Sequence, residues 1–327
     1  MRMEYRRLGR SGLEVSTVVL GCMSFGDPNR GNHEWSLDLD ASRPLVRQAF
    51  EAGITTYDTA NVYSDGSSEE ITGKVLGELA KRDEVVIATK VNGRMGPGPK
   101  GAGLSRAAIL AQIDDSLRRL DTDYVDLYQI HRFDQNVPVE ETMEALDDVV
   151  RAGKARYLGA SSMWTWQFAQ LQHAADLNGW TRFVSMQDQY NLIMREEERE
   201  MLPYCLDQGV GVLPWSPLAR GRLTRDWAAT TARTESDRFG GTLYRQAEEA
   251  DRRVVDMVAT VASERGVSRA QVALAWLLHQ RTVTAPIVGV TKASHLDDAV
   301  AAVELTLSES ELSRLEENYV PHQPEGF

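Results

Sequence analysis

Apolar residues recur along this chain in short solid blocks separated by longer stretches of mixed character. Eight blocks read as strands: Ser16–Leu20, Ile54–Asp58, Glu84–Lys90, Tyr124–His131, Ala155–Ala160, Arg182–Gln187, Gly209–Trp215 and Ala285–Gly289. Each is rich in Val, Ile, Leu or Tyr with little alternation, the pattern of strands covered on both faces in a parallel sheet. Helical spacing fills the gaps. Val139, Met143, Leu146 and Val150 follow Pro138, and Gly153 reads as the C-cap. Ser67 with Glu70 predicts a capping box before a helix over Ile71–Leu79, and Ser308 with Glu311 predicts another before Glu309–Asn318. Ahead of the first strand, Tyr5–Leu8 and Leu13–Val15 flank a Gly9–Gly12 turn, a hairpin placed to plug the bottom of a barrel. Eight strands alternating with helices is the count of an α/β (β/α)8 TIM barrel, here with an N-terminal β-hairpin and a single domain over 1–327.

One segment breaks the pattern. Ser216–Arg245, after the seventh strand, has no apolar period and holds six arginines (Arg220, Arg222, Arg225, Arg233, Arg238, Arg245) against Asp226, Glu235 and Asp237. It reads either as a solvated surface loop or as a long lid over an anionic ligand.

That local charge stands out because the chain as a whole is acidic, with 36 Lys+Arg against 48 Asp+Glu and a net charge of −12 over 327 residues. The balance argues against nucleic acid as the main partner, since such binding neutralises phosphates. Cys22 and Cys205 are too few for a disulfide framework and read as cytosolic thiols. The first ten residues are polar and basic, and no apolar run nears the ~18 residues of a membrane span. The expectation is a soluble, cytoplasmic protein of undetermined oligomeric state with no membrane partner.

Barrel active sites lie at the C-terminal ends of the strands. The residues at those ends are Gly21, Asp58, Lys90, His131, Ser161, Gln187, Trp215 and Gly289, so ionisable side chains close three successive strands. Asp58 and Lys90 would be neighbours, as a structural ion pair or as part of a site. Tyr63 follows in the loop after Asp58. It is either a packing residue or, beside a lysine ammonium, a tyrosine that becomes a useful acid. His131 is either a satisfied core histidine or a donor to a substrate oxygen. Together the four supply an acid for a carbonyl oxygen with its tuner and orienter. No Ser or Cys triad and no metal-ligand spacing accompanies them, so hydride from a nicotinamide fits. Its phosphates would lie on the arginine-rich loop and on Gly289-Val290-Thr291-Lys292, which leads into a helix at Ala293. Trp215 would stack on the nicotinamide or pack at the rim. His33 and Trp35 in the loop Asp27–Leu37, with Trp164, would shape the substrate pocket for a small-molecule carbonyl. Two apparent motifs mislead. Gly96-Pro97-Gly98-Pro99-Lys100-Gly101 has the G-x-G-x-x-G spacing, but its prolines lack the N–H donors that such a loop needs. Gly73-Lys74 has no glycine at the P-loop spacing.

Motifs along the length of the chain then carry a resemblance. They are Tyr5-Arg6-Arg7-Leu8-Gly9, Leu20-Gly21-Cys22-Met23, Tyr57-Asp58-Thr59-Ala60-Asn61-Val62-Tyr63, Ala88-Thr89-Lys90, Asp123–His131, Gly159-Ala160-Ser161-Ser162, Trp215–Gly221 and Gln271–Trp276. The sequence resembles the aldo-keto reductases, in the branch that includes potassium-channel β-subunits. Through Asp27–His33 and Ser185–Asn191 it is most similar to bacterial YajO-type reductases. The resemblance implies a (β/α)8 barrel that binds NADP(H) and reversibly reduces aldehydes or ketones. It implies Tyr63 as general acid, Lys90 easing its proton loss, Asp58 holding Lys90, and His131 positioning the carbonyl. Ser161, Gln187 and Trp215 match positions that hold the nicotinamide, and Gly21, Cys22, Met23 and Ser162 join the cofactor set. Ser216, Pro217, Leu218, Ala219 and Arg220, with Arg225 and Arg233, match the pyrophosphate and lid positions. Gly289, Thr291, Lys292 and His295 match the adenosine-phosphate end, where His295 replaces the usual Gln or Arg and Ala299 the usual Asn. Other chemistries share these features. They are a Schiff base on Lys90 in an aldolase-like lyase, deoxyxylulose phosphate formation from a pentose phosphate, and an NADPH-sensing subunit.

Overall fold

The computed structural model describes residues 3–31, 35–229, 242–244 and 247–324. β1 (Tyr5–Arg7) and β2 (Glu14–Ser16) pair antiparallel as the predicted hairpin. Eight parallel strands follow: β3 (Val19–Gly21), β4 (Thr56–Asp58), β5 (Val86–Val91), β6 (Val125–Ile130), β7 (Ala155–Ser161), β8 (Phe183–Gln187), β9 (Gly211–Val212) and β10 (Ile287–Gly289). Each of β3 to β8 pairs with the next, and β10 returns to pair with β3. A bridge between Val212 and Val283, and the Ile287 N–H donated to Pro214 O at 2.9 Å, close the circle between β9 and β10. Helices α1 (Leu39–Glu51), α2 (Ser67–Leu79), α3 (Arg106–Leu120), α4 (Val139–Arg151), α5 (Thr165–Asn178), α6 (Met201–Gln208), α7 (Glu248–Arg265), α8 (Arg269–His279), α9 (Ala293–Glu304) and α10 (Glu309–Glu316) surround it. The result is a (β/α)8 barrel. Among the described residues, no helix is long and apolar enough to cross a membrane.

The hairpin closes one end. Leu8, Leu13 and Val15 join Val19, Ala88, Leu127, Leu213, Ala285 and Ile287 in one buried cluster. Gly9 makes this fit possible. Its backbone is left-handed (φ +60°), and a Cβ there would lie 2.3 Å from Gly209 O. With the far end filled, the open mouth is the end where the strands finish.

Several elements differ from expectation for local reasons. The seventh strand ends at Val212, because Pro214 has no N–H for a ladder, and Trp215 bridges to Gln189 instead. The last strand starts at Ile287, after Pro286. The capping box at Ser67 does not form, since α2 begins at Ser67 itself behind Gly66 in the left-handed region (φ +85°). Ser67 Oγ instead donates to Ser64 O (2.7 Å) and accepts the Asp27 N–H (2.8 Å), while Glu70 pairs with Arg30. The Ser308–Glu311 box does form and opens α10. Of the arginine-rich loop, Ala219–Thr224 forms 3-10 turns, and Leu243 and Tyr244 are buried. Two expected site residues, His33 and Arg233, lie outside the described residues.

Candidate active site

Asp58 ends β4, and its carboxylate gathers side chains from three other strands. Lys90 Nζ, from β5, donates to Asp58 Oδ2 at 2.5 Å. Gln129 Nε2 from β6 and Gln187 Nε2 from β8 both donate to Asp58 Oδ1 at 3.0 Å. Gln187 Nε2 also reaches Gln129 Oε1 at 3.1 Å. Asp58, Lys90, Gln129 and Gln187 are all buried. Lys90 Nζ has further partners in Thr59 O (2.9 Å) and Tyr63 Oη (3.4 Å). Burial pushes the Lys90 ammonium down, but the Asp58 charge and the Tyr63 hydroxyl outweigh it and hold the group above its ordinary value. Lys90 is a fixed cation at neutral pH.

Tyr63 reaches this cation through an unusual turn. Ser64 (φ +45°) and Asp65 (φ +52°) are left-handed without being glycine, and Gly66 follows in the same region. Such backbone persists only when its surroundings over-determine it. The loop after β3 supplies the brace. Ser36 Oγ meets Ser64 Oγ at 2.9 Å, and Arg30 Nη2 donates to Asp65 O at 2.5 Å. The Tyr63 ring packs edge-on against His131, with centroids 5.8 Å apart at 81°. Burial, followed by the charges of Lys90 and Arg132, holds the His131 imidazole well below the ordinary histidine range. It is therefore neutral at pH 7 and able to donate a hydrogen bond.

Beside these four lies a polar wall. Ser161 Oγ donates to Gln187 O at 2.8 Å, and Trp215 Nε1 donates to Ser162 Oγ at 2.9 Å. Gln187 commits both Nε2 hydrogens to Asp58 and Gln129, which leaves its Oε1 as the acceptor for anything bound over it. Ser162 is left-handed (φ +46°), and its N–H is received by Asp188 Oδ1 at 3.2 Å. Sequence reasoning assigned no role to Asp188 or Gln129. The available signal for Gln129 is an amide inside a solid apolar block. Burial pushes the Asp188 carboxyl up to about 7, and burial with the Asp188 charge pushes Glu197 up too. An unfolded aspartate titrates near ~3.9. As pH rises from that value towards neutrality, the unfolded chain sheds a proton that folded Asp188 still holds, so stability falls over that window. Asp188→Asn keeps the acceptor oxygen and removes this loss. Its melting temperature should exceed that of the parent by several degrees (about 4 kcal/mol) near pH 8 and match it near pH 4. An equal shift at both pH values would refute the account.

Across the mouth, the start of the arginine-rich loop is shaped to receive an anion. Ser216 (φ +51°), Ala219 (φ +48°), Arg220 (φ +54°) and Gly221 (φ +92°) are all left-handed. Arg225 lies against Gly221, and burial followed by the neighbouring Arg222 charge holds its guanidinium below its ordinary value. The Ala219 and Gly221 N–H groups are taken by Ser216 O (2.9 Å) and Leu218 O (2.8 Å), so the crowded arginines are what this turn presents to an anion. At the end of β10, Gly289 opens onto free space. The N-terminus of α9 follows, where Lys292 makes no side-chain cap and His295 Nδ1 accepts the Thr291 N–H at 3.3 Å. Gly21 pairs with Asp58 in the sheet, and Cys22 is buried with its thiol pushed up to about 12 by burial, too weak an acid to be a nucleophile. Trp164 starts α5 on the rim. Among the described residues, no group of three or more His, Cys, Asp or Glu is placed to hold a metal.

The chain is similar to known proteins along nearly its whole length. The profile of the aldo/keto reductase family matches residues 17–319. The chain is 48% identical to a versiconal hemiacetal acetate reductase of Aspergillus parasiticus, with 98% of each chain covered. It is 45% identical to the aldo-keto reductase AMT2 of Alternaria alternata, covering 99% of this chain and 94% of the other. It is 43% identical to a "putative aryl-alcohol dehydrogenase" of Schizosaccharomyces pombe, covering 98% and 97%.

Proposed function

The chain belongs to the aldo/keto reductase family, and from that premise we propose that it is an NADP(H)-dependent oxidoreductase that reversibly reduces aldehydes or ketones. The observation that carries the reading is Tyr63, whose hydroxyl lies 3.4 Å from a lysine cation fixed by Asp58 and whose ring packs against a neutral His131. Relatives named for aryl-alcohol and hemiacetal chemistry favour aromatic carbonyls as substrates. Kinship with the branch of potassium-channel β-subunits and YajO-type reductases belongs to the same proposal, as do the single-domain organisation and a cytoplasmic location.

Tyr63 gives its proton to the carbonyl oxygen as charge develops there. The Lys90 ammonium stabilises the phenolate left behind, and Asp58 keeps that ammonium in place. His131 donates a hydrogen bond to the same oxygen and fixes its direction. NADPH, when bound, would supply the hydride for the carbonyl carbon. Ser161, Ser162, Gln187 and Trp215 would hold the nicotinamide, with Gln187 Oε1 accepting from its carboxamide. Gly21, Cys22 and Met23 would form the adjoining wall. The residues from Ser216 to Arg220, with Arg225 and Arg233, would take the pyrophosphate, and Gly289, Thr291, Lys292 and His295 the adenosine end. Trp35, His33 and Trp164 would border the substrate. Lys90 serves here as a cation and not as a Schiff-base nucleophile, because three partners hold it protonated.

The test is a fluorescence titration with NADPH and NADH, followed by loss of nicotinamide absorbance with a panel of aldehydes and ketones. NADPH should quench the protein's emission and support turnover. Absence of quenching by both nucleotides would overturn the reading.

A further inference from the structure

One charged side chain at the mouth has no part in that chemistry. Arg132 directly follows His131. Its carbonyl accepts Asn92 Nδ2 at 3.2 Å, and its Nη1 donates to His131 O at 2.6 Å. That bond employs one of the five N–H donors of the fork. Arg132 is half-buried, and that burial holds its guanidinium below its ordinary value while it stays charged. Its charge reaches the His131 imidazole, the Tyr63 hydroxyl and the Asp188 carboxyl. Among the described residues it makes no ion pair. Asp188, the one acid whose charge bears on it, has its Oδ1 on the Ser162 N–H and is itself driven towards the neutral form by burial. A cation partly taken out of water without a counter-ion gains when a partner arrives.

The adjacent surface has a matching character. Phe133, the next residue, packs edge-on against Trp166 with centroids 6.3 Å apart. Trp166 is 57% exposed, and Trp164, two residues before it, is 47% exposed. Large aromatic side chains at a rim are suited to a flat apolar molecule.

We propose that Arg132 is a specificity-determining residue: the carbonyl substrate carries an anionic group, a carboxylate or a phosphate, that pairs with the Arg132 guanidinium while its planar body lies against the Phe133–Trp166 rim. This rests on the carbonyl-reductase reading and narrows it to a substrate class. An Arg fork meets either anion with paired N–H donors.

The experiment compares benzaldehyde, 4-carboxybenzaldehyde and 4-formylphenyl phosphate on the full-length enzyme and on Arg132→Gln and Arg132→Lys. In the parent, at least one anionic aldehyde should exceed benzaldehyde in kcat/KM by about tenfold or more, chiefly through KM. In Arg132→Gln that ratio should fall by about tenfold, and Arg132→Lys should restore part of it. Whichever anion holds the advantage identifies carboxylate or phosphate. Equal kcat/KM for all three aldehydes in the parent, or an advantage that survives Arg132→Gln, overturns the proposal. Calorimetric titration of the two anionic aldehydes keeps the outcomes apart. If no carbonyl is reduced but an anionic aldehyde binds and Arg132→Gln weakens it, the reductase reading fails and the Arg132 site stands. If neither anion binds the parent, the site fails whatever the enzyme reduces.

Discussion

Replacing Tyr63 by Phe is expected to lower kcat for carbonyl reduction by about 10²–10⁴-fold while NADPH affinity stays within about twofold. The substitution removes one oxygen and little else. The ring remains to pack edge-on against His131 at 5.8 Å, and the turn behind it stays braced by Ser36 and Arg30. The oxygen removed is the one 3.4 Å from Lys90 Nζ, so the variant loses the proton donor and the path by which the lysine charge acts. Single-turnover reduction of an aldehyde measures the first effect, and NADPH quenching measures the second. Activity within about threefold of the parent would mean that another group protonates the carbonyl, and the functional reading would fall.

The other large effect is expected at Asp58. Removing its carboxylate with Asp58→Ala strands three buried donors at once, on Lys90, Gln129 and Gln187. Lys90 keeps only Thr59 O and the Tyr63 hydroxyl. Breaking a buried pair from one side typically costs about 3–5 kcal/mol, because the remaining charge is uncompensated. Urea unfolding should show a loss of that size. Activity should collapse as well, since burial without Asp58 drives the lysine towards its neutral form. Asp58→Asn separates the two contributions. It keeps the shape and one acceptor, so it should recover part of the stability while activity stays low. If Asp58→Ala unfolds within about 1 kcal/mol of the parent, the network is not the anchor described above.

Much of this site could be read along the chain because a parallel barrel turns a linear regularity into a ring. Most of the apolar blocks end where a strand leaves the sheet, and the polar residue there faces the mouth. Asp58, Ser161 and Gln187 are the last residues of their strands. Lys90 and His131 sit within one residue of theirs. What escaped was set by contacts between distant segments. Gln129 lies inside its block, and its role exists only because Asp58 and Gln187 come from other strands. The left-handed turn after Tyr63 has no local signature at Ser64 and Asp65. It is held by residues 28 and 35 positions earlier. Asp188 stands one step and Arg132 two steps past strand ends, where the pattern gives no instruction about which neighbour each will meet. The short seventh strand followed from Pro214, a signal present in the sequence but outweighed by the apolar run around it.

The hairpin stopper has a consequence for traffic. With Leu8, Leu13 and Val15 seated among the inward side chains at the base, the barrel is a vessel with one opening. Whatever lies over Gln187 and whatever touches Tyr63 must pass the same rim. A large molecule spread from Gln187 to the arginine-rich loop would form part of the wall on which a small one rests. Arrival and departure would then run in a fixed queue, first in and last out, and the time the larger molecule takes to leave would set the pace of the cycle.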